Sequence, residues 1–264
     1  MLIAQLTDTH VADPAHDERL YADNNGRLDA AVASLTSENP AADLVLLTGD
    51  TTNNGRPAEF ELLAEALAPI EVPILAIPGN HDTREGVRSV FPNLPWADAE
   101  HASWVVDEGS LRIIGLDTTV PGEHGAAFDD ERSAWLANAI SGATGRCVIA
   151  MHHPPFVTGI DWMDRSGFEG REEFAAVLAE LPVERILCGH LHRPIQSSIA
   201  GIPAQVAPST IYHVDLELTP GASPSIILDP PGYLIHRVTG DSWVTHTRYF
   251  DTGEERVFPD WGDD

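Results

Sequence analysis

Leu2-Ile3-Ala4-Gln5-Leu6-Thr7-Asp8-Thr9-His10 opens the chain with a mostly apolar run that stops at a carboxylate and an imidazole. The same pattern recurs along the first three quarters of the sequence. Leu44–Leu47 ends at Thr48-Gly49-Asp50, and Ile74–Ile77 ends at Pro78-Gly79-Asn80-His81-Asp82. Leu111–Leu116 ends at Asp117, Val148–Met151 at His152-His153-Pro154-Pro155, and Arg185–Cys188 at Gly189-His190-Leu191-His192. Short apolar runs bounded by Gly or Pro predict fully buried strands. Between them, apolar residues spaced three and four apart predict helices at about Asn25–Ser37, Pro57–Ala68, Asp129–Ile140 and Glu169–Leu181. Pro57 suits a first helical turn, and Asp129-Asp130-Glu131 complements a helix N-terminus. Strand and helix in alternation make an α/β layer fold. Such folds place their sites where the polar residues are concentrated here, at the carboxyl ends of the strands.

From about Ile195 the texture changes. Ile211–Leu218 alternates with period two, and Tyr233–Val238 and Trp243–Tyr249 read as strands around the turn Thr239-Gly240-Asp241. No linker separates this part, so residues 1–264 are expected to form a single domain. About 1–194 carries the polar strand ends, and about 195–264 completes a second sheet. Thr252–Asp264 reads as an acidic surface tail.

The 15 basic residues are all Arg, against 41 Asp and Glu, for a formal charge of −26. A surface this acidic repels phosphate backbones, so neither nucleic acid nor an anionic membrane is an expected partner. The absence of Lys removes Schiff-base chemistry and the usual phosphate-loop lysine. No run approaches the ~18 apolar residues of a membrane helix, and the first residues lack the basic start of a secretory signal. A cytoplasmic protein is the expectation. Cys147 and Cys188 sit in apolar runs as small core residues.

Singly, each polar strand end is a weak signal. Asp8-x-His10 and His190-x-His192 each aim two ligand-type side chains the same way on an extended backbone. Convergence changes the odds. Asp8, His10, Asp50, Asn80, His152, His190 and His192 would all meet at one edge of the framework. Seven donors are too many for one four-coordinate ion and suit two, provided that one carboxylate bridges. Two metals about 3.5–4 Å apart are the standard arrangement for in-line attack at phosphorus.

In its order and spacing, the set D-x-H, G-D, G-N-H-D, H-H-P-P and G-H-x-H resembles the calcineurin-like metallophosphoesterase superfamily over about residues 2–192. Leu116–Gly122, Met151–Phe156 and the stretch Ile235-His236-Arg237 with Trp243-Val244 are similar to its bacterial class III branch of cyclic-nucleotide phosphodiesterases and glycerophosphodiesterases. The resemblance implies a four-layer αββα sandwich. It also implies two divalent or mixed-valence ions (Mn, Fe, Co or Zn), one on Asp8, His10, Asp50 and His192. The other would lie on Asp50, Asn80, His152 and His190, with Asp50 bridging. A bridging hydroxide would attack phosphorus, Asn80 would orient the phosphate, and His81 would stabilise transition-state charge or protonate the leaving oxygen. The implied substrate is a small phosphodiester, glycerophosphodiesters ahead of 3′,5′-cyclic AMP, and the implied assembly is a homo-oligomer.

Departures from other branches narrow the reading. Purple acid phosphatases carry a tyrosine ligand three residues after the bridging aspartate, where this chain has Asn53. Protein Ser/Thr phosphatases carry Glu after the Asn-His pair and an Arg-rich phosphate clamp, where this chain has Asp82 and Arg56 as the basic candidate for such a clamp. Some relatives have become protein-binding scaffolds, but they tend to lose ligands that are all present here. Among other residues, His153 is expected to face away from its ligand neighbour and Asp82 to orient His81 or cap a turn, while Asp117 ends a strand of the same framework and is not expected to belong to the cluster. His124 and His213 are the remaining histidines whose loops could border a cleft. Tyr21, Asn24, Phe156, Trp162, Met163 and Phe168 are candidates for a substrate lid.

Overall fold

Apolar runs without alternation form strands buried on both faces, and two such sheets pack here face to face. The computed structural model describes residues 1–16, 22–98 and 100–250. In chain order the elements are β1 (Leu2–Leu6), α1 (Asn24–Thr36), β2 (Leu44–Thr48), α2 (Pro57–Leu67), β3 (Ile74–Ile77) and α3 (Arg84–Val90). Next come β4 (Trp104–Glu108), β5 (Leu111–Leu116), β6 (Ala126–Ala127), α4 (Asp130–Ser141), β7 (Arg146–Met151), α5 (Asp161–Asp164) and β8 (Phe168–Glu169). The chain continues with α6 (Arg171–Ala179), β9 (Arg185–Cys188), β10 (Ile195–Ile199), β11 (Ile202–Val206), β12 (His213–Val214), β13 (Ile226–Ile227), β14 (Gly232–Thr239) and β15 (Ser242–Tyr249).

The first sheet has the order β15-β14-β1-β2-β3, and the second β10-β11-β9-β7-β5-β4. β1, β2 and β3 run parallel, as do β5, β7, β9 and β11, so these strands deliver three and four carboxyl ends to one edge. Alternate residues divide the cores. Ala4, Leu6, Val45, Leu47 and Ala76 pack under α1, α2 and α3. Ile3, Leu44, Leu46, Leu75 and Ile77 face the second sheet, whose far side is covered by α4 and α6. Helix, sheet, sheet and helix make the four-layer arrangement. No helix among the described residues is long and apolar enough to cross a membrane.

The C-terminal part departs from the sequence expectation. Only β10 and β11 extend the second sheet, while β14 and β15 join the first by antiparallel pairing to β1. Of the alternating Ile211–Leu218 stretch only His213–Val214 is strand, paired with β13, and Leu216 and Leu218 are exposed. The expected surface tail Thr252–Asp264 and the lid candidate Tyr21 lie outside the described residues.

Between the sheets, His236 of β14 is fully buried. Its ring nitrogens pair with Gln5 Oε1 at 3.0 Å and Thr245 Oγ1 at 2.9 Å. Burial pushes its pKa down to about 3, with Arg185 acting in the same direction. The native ring stays neutral as pH falls below the unfolded value of 6.5, while the unfolded chain takes up the proton. Stability is therefore lost on acidification through that window. Between about pH 7.5 and pH 5 the parent should lose about 2 kcal/mol more than a His236→Gln variant. Urea denaturation at the two pH values measures this, and equal losses would contradict it.

Candidate metal centre

The polar ends of β1, β2 and β9 become tight loops whose backbone is held in an unfavourable conformation. Asp8, His10, Asp50, His190 and His192 have φ of +53°, +41°, +49°, +74° and +55°, the left-handed region that residues with a Cβ rarely occupy. Ala200 is the one other such non-glycine among the described residues. Strain of this kind costs on the order of 1–3 kcal/mol per residue and persists where the surroundings over-determine the backbone. Here they do. Asp8 N donates to Gly49 O at 3.0 Å, His10 N to Asp50 O at 3.0 Å, and Gly189 N to His152 O at 2.9 Å. Asn24, a lid candidate by sequence, instead donates its side-chain amide to His10 O at 2.9 Å and helps hold that loop.

The loops bring the candidate residues of both sheets together. Asp8, His10 and Asp50 from the first sheet meet His152 and His192 from the second. His10 Nε2 lies 3.1 Å from His192 Nε2 and 3.7 Å from Asp50 Oδ2, His152 Nε2 lies 3.2 Å from Asp50 Oδ2, and His192 Nε2 lies 3.4 Å from Asp8 Oδ1. The ligand atoms of Asp8, His10 and His192, and those of Asp8, Asp50 and His152, lie within 4.8 Å of one another in each group. The His190 N–H donates to the Asp8 carboxylate, and the ring sits 5.1 Å from that of His152. Asn80 Oδ1 is buried without a hydrogen-bond partner, while its Nδ2 approaches His124 Nδ1 at 3.3 Å.

Tautomers follow from carbonyl partners, because a carbonyl only accepts. His152 Nδ1 pairs with Thr48 O at 2.8 Å and His192 Nδ1 with Tyr212 O at 3.1 Å, so both Nδ1 atoms carry the proton. In a neutral ring Nε2 is then a bare lone pair, and it faces a carboxylate oxygen. Two acceptors at that separation require a positive charge between them. Without a metal a proton supplies it at His152, where burial alone lowers the ring but the Asp50 charge and hydrogen bond push it up to about 9, whereas burial pushes His192 down to about 3. Burial also pushes Asp8 up to about 7, with the Asp50 charge adding and His152 opposing. Burial would raise Asp50 too, yet the His152 and His81 charges hold it well below the usual carboxylate range. Lone pairs, carboxylates and an orphaned amide oxygen aimed at one another fit divalent cations.

Asp82 does more than the sequence suggested. Its carboxylate accepts from the Gly79, Thr51 and Thr52 N–H groups at 3.0, 3.0 and 2.9 Å, and from both threonine hydroxyls at 2.8 Å. It pins the loop of Asp50 to that of Asn80 and His81. His81 Nδ1 pairs with Asn53 O at 2.8 Å, which leaves Nε2 as the free ring nitrogen. Burial lowers His81, but Asp50, the Asn53 carbonyl and Asp82 outweigh it, so its pKa is raised. Asp117 stands apart, bonded to Arg84 Nε at 2.5 Å and to Ala102 N at 2.9 Å. His153 bonds Thr118 Oγ1 at 2.8 Å, and burial lowers it to about 3.

A cleft of about 360 Å³ opens over the cluster. Its lining includes the apolar Trp162, Met163, Val214 and Ile226 and the polar Asn53, His81 and His124, with no Arg among the described residues that line it. Phe156 and Phe168 belong to the core and His213 is buried outside the cleft lining, so neither phenylalanine is a lid residue. Sequence inspection missed Tyr212, whose ring stacks on His192 at 4.9 Å between centroids. No motif marks it, because it acts through its carbonyl and its neighbour across a loop.

Residues 1–194 match the calcineurin-like phosphoesterase family. A probable glycerophosphodiester phosphodiesterase, GpdQ, of Arcobacter nitrofigilis is 32% identical over 254 residues, covering 94% of this chain and 93% of that protein. The 3′,5′-cyclic adenosine monophosphate phosphodiesterase CpdA of Pseudomonas aeruginosa is 29% identical over 261 residues, covering 97% and 90%. Among solved structures, purple acid phosphatase PPD1 from yellow lupin seeds is similar with TM-score 0.70 over 96% of this chain and 52% of that one. At 15% identity this is a likeness of fold alone. Because the family match takes in every strand that carries a cluster residue, from β1 through His192 after β9, the chain belongs to the calcineurin-like phosphoesterase family.

Proposed function

We propose that the protein is a binuclear metal-dependent phosphodiesterase acting on small diesters. The observation that carries this is the pair of rings, His152 and His192, locked by Thr48 and Tyr212 so that bare Nε2 atoms face Asp50 and Asp8. Asp8, His10 and His192 would hold one cation, Asn80, His152 and His190 the other, and Asp50 both. Bound there, two divalent cations neutralise the diester's charge and acidify a water molecule into a nucleophile. Asn80 orients the phosphate through its amide. His81, its Nδ1 proton committed to Asn53 O, keeps Nε2 as the nitrogen that, when the ring is protonated, gives a proton to the leaving alkoxide.

Outside the cluster the −26 charge repels long polyanions, and among the described residues the cleft lining offers no arginine to a second phosphate. A single small diester fits these limits. Glycerophosphodiesters are the first reading, in keeping with the GpdQ relative. The wall of Trp162 and Met163 favours a second, 3′,5′-cyclic AMP, whose base needs an apolar face. Chelator-stripped protein assayed with and without Mn²⁺ on glycerophosphoethanolamine and 3′,5′-cyclic AMP decides between them. Metal-dependent cleavage favouring the glycerol diester by about tenfold or more in kcat/KM, some 1.4 kcal/mol at the transition state, is expected. The reverse preference selects the cyclic nucleotide. Cleavage of neither with any divalent metal overturns the proposal.

A further inference from the structure

The two ligand sets belong to different sheets, and the distance between them depends on how the sheets meet beneath the loops. One polar side chain occupies that seam. Gln5 of β1 is fully buried, and its Nε2 donates to Thr48 Oγ1 and to Cys188 O, each at 3.0 Å. Thr48 is the last residue of β2, two before Asp50. Cys188 is the last of β9, two before His190, and Gln5 itself lies three before Asp8. One carboxamide therefore ties together the ends of the three strands that carry most of the cluster, across both sheets.

Its orientation is determined by its partners. The Cys188 carbonyl only accepts, so Nε2 faces it and Oε1 points the other way, to His236 Nε2 at 3.0 Å. His236 Nε2 then carries the proton and Nδ1 accepts, which is what the Trp243 indole N–H at 3.3 Å requires. The amide is thus clamped from behind by Trp243 and His236 and reaches forward to both strand ends. Thr48 O receives the His152 Nδ1 proton, so the same seam orients a ring of the second sheet.

We propose that Gln5 is a positioning residue that sets the separation of the two sheets' ligand sets and hence the spacing of the two cations. The inference rests on the binuclear reading above. A hydrophobic isostere keeps the packing volume but releases the strand ends, leaving the Cys188 carbonyl with the Ala207 N–H alone and Thr48 Oγ1 without the amide donor. Shifts of a few tenths of an ångström at the seam then act on two ions that must share Asp50.

The test uses full-length Gln5→Met, with Gln5→Asn, which keeps the amide but falls short of its partners, carrying the same measurements should the first variant not fold. Calorimetric Mn²⁺ titration gives stoichiometry and the two affinities, electron paramagnetic resonance gives the coupling between ions, and steady-state kinetics gives kcat and KM. The expected result is a first-ion Kd within about threefold of the parent, a second-ion Kd raised tenfold or more, and diminished Mn–Mn coupling. kcat should fall about tenfold or more with KM changed by less than threefold. Affinities, coupling and kcat all equal to those of the parent would overturn the role of Gln5 and leave the binuclear reading standing. A parent that binds fewer than two ions would overturn both.

Discussion

Asp50→Asn is expected to lower kcat about a thousandfold and to reduce the Mn²⁺ bound per chain below two. The variant is nearly isosteric. Its Oδ1 can still accept the His81 N–H, now 2.8 Å from the Asp50 carboxylate, so the loop keeps its shape. What is lost is the charge. His152 and His10 present Nε2 to Asp50 Oδ2 at 3.2 and 3.7 Å, and an amide supplies no anion to be shared by two cations there. About 4 kcal/mol of lost electrostatic stabilisation corresponds to the stated factor. The Asp50 charge is also an upward influence on the pKa values of His152 and His81, so both should fall in the metal-free variant. Metal analysis, kinetics on Mn²⁺-saturated protein and imidazole titration by NMR measure the three effects. A rate within tenfold of the parent would remove Asp50 from its central place.

Gly79→Ala should cost about a hundredfold in kcat without replacing any residue of the cluster. A Cβ at Gly79 would lie 2.2 Å from Asp50 Oδ1 and 2.3 Å from Asp50 N. The backbone cannot give way easily: Asp82 accepts from Gly79 N at 3.0 Å and from the Thr51 and Thr52 N–H groups just past Asp50. Relief therefore comes by displacing the Asp50 carboxylate, and a shift of about 1 Å at a catalytic group is worth about 10²-fold. Overpacking should also lower stability by about 1–3 kcal/mol. Gly109→Ala is the control. Gly109 has φ +62° in the turn between β4 and β5, and a Cβ there meets nothing within 4 Å. It should lose about 1 kcal/mol from backbone strain alone and keep its activity. Equal activity in the two variants would show that the close approach of the loops is unimportant.

The six apolar runs were legible because burial on both faces leaves an unbroken local signal, and the four long helices followed from their spacing. α3 was missed: Arg84–Val90 is short and carries two arginines. β4, Trp104–Glu108, hid among polar residues because it is an edge strand. The misplacement of β14 and β15 has the same root. Their alternation announces a strand and says nothing about which sheet accepts it. That was settled by the pairing of β1 with β14, between residues more than two hundred apart in sequence. Asp82 and Tyr212 escaped for a different reason, since each acts on loops brought near only by folding.

Sequence alone determined the class of the fold, the family and the identity of the residues gathered at the strand ends. Each of those is written in neighbours along the chain, as apolar period, turn residues and motif spacing. Only the tertiary structure decided that His10 and His192 stand 3.1 Å apart although 182 residues separate them. It also decided which ring nitrogens are bare, which wall closes the cleft and that Gln5 occupies the seam. These are distances across two sheets whose strands are joined by no local signal. They come from the packing of both layers at once, and from carbonyls such as Thr48 O and Cys188 O whose partners lie on the opposite sheet.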